Sequence, residues 1–286
     1  QTLIRLPEHT ADYTALGTGS GRETYSHEGV DWFLPNLYLA YRQDNWALFT
    51  GIFVPAGGAT VNYPDGSITT EFLKYQTNLS AGPFDSFSNE SLEASSVYLS
   101  GILGGTYAIN DIFSFSIGAR YIYAINTTNG EFTATVSGFD TVFKVDTEDT
   151  ADGISGVIGV NITPIPELNI GIRYETITKM EFETDVNRDD LGMFTPGEKN
   201  SNDIPAVFAM GVLYAFTPEF SLEADFTYFF QEQADWGKDD TTGADYAKSA
   251  GDAFTVGLAA VFKLKPAITL SGGITYSKFL WEDMDA

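Results

Sequence analysis

The chain has 286 residues and carries 39 acidic against 15 basic side chains, a formal charge of −24 that leaves nucleic acid without the basic surface phosphate binding needs. Apolar residues make up 43% and aromatics 14%, with 28 glycines, a balance that leans towards one all-β domain over 1–286. No stretch approaches the roughly 18 consecutive apolar residues of a membrane-crossing helix, which excludes a helical span but not a barrel, whose strands hide hydrophobicity in alternation.

Residues 1–6, QTLIRL, read as the tail of a strand, and the polar residues 9–31 as a solvated loop. In 35–42, Leu37, Leu39 and Tyr41 alternate with Asn36, Tyr38 and Arg42, the period of two that marks a strand. A turn at Gln43-Asp44-Asn45 leads into 46–54, with Trp46, Leu48, Ile52 and Val54 on the outer face. That strand is expected to stop at Pro55-Ala56-Gly57-Gly58, where proline removes a ladder donor and glycines loosen the backbone, so that the wall kinks or opens. Residues 59–94 read as a long loop holding a short amphipathic helix around 70–78.

Strand 95–108 puts Val97, Leu99, Leu103 and Tyr107 outward. After a turn at 109–111, strand 112–124 puts Phe113, Phe115, Ile117, Tyr121 and Tyr123 outward and Arg120 inward. The Thr-rich, acidic residues 125–152 read as a loop with a small hairpin in it. Strand 153–163 turns at its prolines into strand 168–182, whose inner face carries Asn169, Arg173, Glu175 and Lys179; a third long loop fills 183–202.

Residues 203–230 then form two alternating arms around Thr217-Pro218-Glu219. Phe208, Met210, Val212 and Tyr214 share one face of the first arm, and Phe220, Leu222, Phe226 and Tyr228 one face of the second, opposite Glu223 and Asp225. A soluble strand usually ends at about 5–6 residues, whereas these arms reach the ~9–11 tilted residues that cross a bilayer. An acidic loop at 231–250 and two strands at 252–264 and 268–280 complete the series.

About ten strands thus alternate between short turns and long loops, the asymmetry of an up-and-down antiparallel transmembrane β-barrel with short periplasmic turns and long extracellular loops. The absence of cysteine suits a chain that crosses an oxidising periplasm, and the expected place is the outer membrane of a Gram-negative bacterium, in contact with lipid and lipopolysaccharide.

The segments FLPNLYLAYRQDNWALFTGIFVPAGG, IPELNIGIRYET and DIPAVFAMGVLYAFTPEFSLEADFTYF, in this order and spacing, resemble the FadL/OmpP1/TodX family of outer-membrane transporters for long-chain fatty acids and other hydrophobic compounds. The resemblance covers about 33–276 and implies a barrel of fourteen strands with an N-terminal hatch, of which this sequence would lack the hatch and the last strands. It implies passive uptake of a hydrophobic ligand from the extracellular loops into the lumen, with sideways release at a kinked strand, where Pro55, Gly57 and Gly58 fall. A basic residue of the family that meets a fatty-acid carboxylate falls here on Ile125, and Arg120 is the nearby inward-facing substitute.

The candidates for a ligand carboxylate are therefore Arg120, Arg173 and Lys179. Against that role stands pairing with lumen carboxylates such as Glu175, Glu223 and Asp225, the more frequent fate of a half-buried charge. The acidic stretch DWGKDDTTGAD lacks the ligand spacing of a calcium loop and reads as a solvated face, so no metal and no cofactor is expected. The two histidines, His9 and His27, have no Ser or Asp at a catalytic spacing, which speaks against an enzyme. A second reading, a FadL-like scaffold, would use the long acidic loops to bind partner proteins.

Overall fold

A computed structural model describes residues 8–12, 22–29, 34–239, 241–265 and 268–281. The expected strand tail at 1–6 and the residues 266–267 that join the last two expected strands lie outside the described residues.

Ten strands form one antiparallel ladder in chain order: β3 (Asn36–Gln43), β4 (Trp46–Tyr63), β5 (Ser86–Ala108), β6 (Phe113–Val136), β7 (Phe139–Ile165), β8 (Leu168–Glu175), β11 (Ala206–Thr217), β12 (Phe220–Phe230), β13 (Ala253–Lys265) and β14 (Ile268–Phe279). Between β8 and β11 the chain adds β9 (Glu181–Asp189), which pairs with β7, and β10 (Lys199–Ser201), which pairs with β9. Before the ladder comes a separate hairpin of β1 (Glu8–Asp12) and β2 (Arg22–Ser26).

Register fixes the faces, because residues directly opposite in an antiparallel pair share one side of the sheet. Ile117 faces Gly105 and Ile158, Ile172 faces Val160 and Met210, and Leu258 faces Ala224 and Ile274. This outer face is a continuous apolar belt left open: Ile117 is 70% exposed, Ile154 67% and Ile274 76%. A sheet in a soluble sandwich buries such a face against a second sheet; here the buried apolar cluster is small and sits on the other side, around Tyr98, Ile122, Met180 and Phe182.

Several strands run well past the belt, and here the sequence expectations need correction. The strand from Trp46 does not stop at Pro55 but continues to Tyr63, and β5 begins at Ser86. The supposed loop at 125–152 is the far half of one long hairpin, β6 and β7, that turns only at Ser137-Gly138. The polar run 126–131 cuts this half off from the apolar period below it, and Phe132 and Ala134 alternate with Thr133 and Thr135 only near the tip, so the sequence reads as two elements where there is one hairpin. The strand from Leu168 ends at Glu175, and β9 and β10 occupy half of 183–202.

The helix expected near 70–78 is α1 (Ile68–Ala81), started by a capping box between Ser67 and Thr70. It is amphipathic in reverse: Glu71, Lys74 and Thr77 are buried, and Ile68, Phe72 and Leu79 are exposed. Lys74 Nζ reaches both Glu71 and Glu90, and the Tyr25 hydroxyl lies 2.7 Å from Glu23 Oε2 and 3.0 Å from Glu71 Oε1. Residues 9–31 are accordingly not a free loop where they are described. Tyr25 packs on Tyr63, and the Glu28 N–H donates to the Asn62 carbonyl at 2.8 Å.

Candidate functional site

The inner face of the wall surrounds a cavity of about 810 Å³. One side is aromatic, from Tyr38 on β3 and Phe49 and Phe53 on β4. Glycines opposite make room for these rings: a Cβ at Gly51 would sit 2.5 Å from the Tyr38 ring and one at Gly104 2.2 Å from Phe49. Tyr38 was already expected on the inner face, whereas Phe49 and Phe53 escape a sequence reading that follows the outer face; the signal that could have found Phe49 is Gly104, in register with it across the ladder.

The other side carries charge. Arg120 forms an ion pair with Glu175, and the Ser155 hydroxyl donates to the same carboxylate oxygen at 3.0 Å. Both are enclosed, with side chains 11% and 4% exposed. The fold brings them together because β7 lies between β6 and β8 and places Ser155 opposite Arg120 and Val157 opposite Glu175. Arg173 faces the same cavity and is exposed, with no ion pair among the described residues. Asp225 also faces it, across Ala209 and Gly211. Its carboxylate leans over Gly257, where a Cβ would stand 2.0 Å from Oδ2.

Lys179 is not with them. After Glu175 the chain leaves the ladder and returns through a single bridge between Thr178 and Ile204, so the alternation slips by one residue. Thr178 and Met180 are buried inside, and Lys179 lies in a separate polar groove with Tyr123, Asp152 and Glu181. Ile125 pairs with Val97 on the outer side, the face opposite Arg120.

At 53–59, β4 loses register twice against β5, between Phe53 and Ala56 and between Gly57 and Ala59. Two bulges this close bend a strand and strengthen its twist. Gly57 has φ +67, and a Cβ there would meet the Ser96 carbonyl oxygen at 2.4 Å, so the position requires glycine. On the other edge, the β3 ladder reaches only the Asn36–Phe53 pair. From Val54 onward that edge of β4 pairs with no strand among the described residues, and Pro55, with no N–H to offer, lies at the cavity's end.

No protein-family model matches the sequence, and no curated protein matches it. Among solved structures, a FadL homologue of Pseudomonas aeruginosa aligns over 92% of this chain with a TM-score of 0.57 at 14% identity. The toluene transporter TodX of Pseudomonas putida aligns over 90% with a TM-score of 0.56, also at 14% identity. The chain has the fold of the FadL-type β-barrel. It spans 62% of the length of the Pseudomonas aeruginosa homologue and 71% of TodX. In transmembrane β-barrels generally, an outward apolar band faces lipid and the interior is polar.

Proposed function

We propose that the protein is an outer-membrane channel of a Gram-negative bacterium for passive uptake of hydrophobic small molecules, released sideways through the wall at Pro55–Gly58. One observation carries the reading: the cavity lining includes Phe53 and Pro55, where β4 bulges twice and, among the described residues, has no strand on its β3 side. In hydrocarbon an unpaired ladder edge is costly, because each unsatisfied backbone group loses several kcal/mol. A gap at that position therefore needs a use, and passage of an apolar molecule between lumen and membrane is one. A fold neighbour is a toluene transporter, which supports a hydrophobic cargo; long-chain fatty acids are the alternative cargo. Entry would begin on α1, whose Ile68, Phe72 and Leu79 offer an apolar landing above the barrel. The driving force is burial of the ligand's apolar surface, about 25 cal/mol per Å².

The test replaces Pro55 and Gly58 with valine, restoring a ladder donor and branched strand residues. Uptake of a labelled neutral hydrophobe by whole cells should slow several-fold while the barrel still shows its heat-modifiable gel shift. An unchanged rate in the folded variant would count against lateral release.

A further inference from the structure

Resting on the uptake reading above, we infer that Glu175 is a specificity residue, which by occupying Arg120 makes the lumen select uncharged hydrophobic molecules and turn away carboxylates of the same chain length.

The residues around the cavity include two arginines, Arg120 and Arg173, and two carboxylates, Glu175 and Asp225, so the lining is formally neutral. Arg120 is not available to a ligand: it is enclosed, bonded to Glu175, and Glu175 is itself 3% exposed and fixed by Ser155. For a ligand carboxylate to take Arg120 it must displace a partner that is already desolvated and hydrogen-bonded, leaving Glu175 buried with no counter-charge. Arg173 is solvated and shares the cavity with Asp225, with only Ala209 and Gly211 between them, so an anion there meets repulsion alongside attraction. Above the cavity the barrier grows, because the inner wall carries Asp149 and the chain as a whole carries −24. An uncharged molecule faces none of these costs and packs on Tyr38, Phe49 and Phe53.

The experiment compares uptake of labelled decan-1-ol and decanoate by whole cells, with cells lacking the protein as background. At about pH 7 the alcohol should enter about tenfold faster than the anion. Uptake of neither above background would overturn the channel reading, whereas equal uptake of both would leave that reading standing and overturn this one. Glu175→Gln should release Arg120 and raise decanoate uptake about tenfold; no rise in a variant with a normal heat-modifiable shift overturns the assignment. Should that variant not fold, the unaltered protein still decides. At about pH 4 decanoic acid is largely uncharged and should enter at the rate of the alcohol, and continued exclusion would show that shape, not charge, rejects it.

Discussion

Arg120 and Arg173 face one cavity from neighbouring parts of the wall, yet their surroundings make them energetically unlike. Arg120→Ala leaves Glu175 buried with only the Ser155 hydroxyl for company, and removing one member of an enclosed pair costs about 3–5 kcal/mol. Arg173→Ala removes an exposed, solvated charge and should cost under about 1 kcal/mol. Urea unfolding in lipid vesicles should rank the two accordingly; equal losses would mean that the Arg120–Glu175 pair is open to water. Gly57 is the third decisive residue. Its positive φ and its 2.4 Å approach to the Ser96 carbonyl predict that Gly57→Ala destabilises, with the left-handed conformation alone worth about 1–2 kcal/mol. Both arginines were legible in the sequence as inward residues, since they fall on regular strand alternation. Lys179 was not, because it follows the slip between Glu175 and Thr178, and a period of two cannot be carried across an irregular stretch.

At the scale of elements, the strands within the apolar belt were readable and their extensions were not. Within the belt the strands alternate large apolar with small or polar residues, and that contrast carries the period. Beyond it the polar run 126–131 interrupts the apolar period, and the alternation of Phe132 and Ala134 with Thr133 and Thr135 resumes only near the tip, so the extension reads as a separate small hairpin and not as the same two strands. The hairpin of β1 and β2 was missed for a related reason: Tyr25 bonds to Glu71, His9 to Tyr63, and the residues just after β2 bond to Asn62, so apolar packing alone does not hold it. Helix α1 has an electrostatic hold with a definite pH dependence. Burial raises the Glu90 carboxyl above its ordinary 4.5, against the opposing pull of Lys74. A folded state that holds this proton more tightly gains stability below the ordinary value and loses it as pH rises through the raised one. Amide exchange protection of α1, corrected for intrinsic rate, should therefore fall as pH rises above the ordinary 4.5. Glu90→Gln should remove that fall, and a variant that keeps it would assign the dependence to another group. The exposed face of the same helix gives a functional expectation: Phe72→Asn with Leu79→Asn should slow uptake at low ligand concentration without lowering protection of the barrel strands.

For the whole molecule, everything depends on what covers the outer belt. Ile117 and Phe139 are matched in exposure, 70% and 74%, and both sit on the β6–β7 hairpin, so area alone gives no reason to treat them differently. They differ in height. Ile117 lies between Gly105 and Ile158 in the middle of the belt, whereas Phe139 pairs with Val136 at the hairpin's tip, beyond the long polar stretch that starts near Asn126. If hydrocarbon surrounds the belt, Ile117→Lys places an ammonium at mid-bilayer, at a cost of about 2–4 kcal/mol. Phe139→Lys exchanges one exposed residue for another in water and should change stability by less than about 0.5 kcal/mol. Urea titrations of the two variants refolded into vesicles measure the difference directly. A common small effect would mean that the belt meets water or a protein partner, and the barrel reading would fail with it. A loss confined to Ile117 would place the belt in lipid, and so place Pro55, on the same wall, at the border between lumen and membrane that lateral release requires.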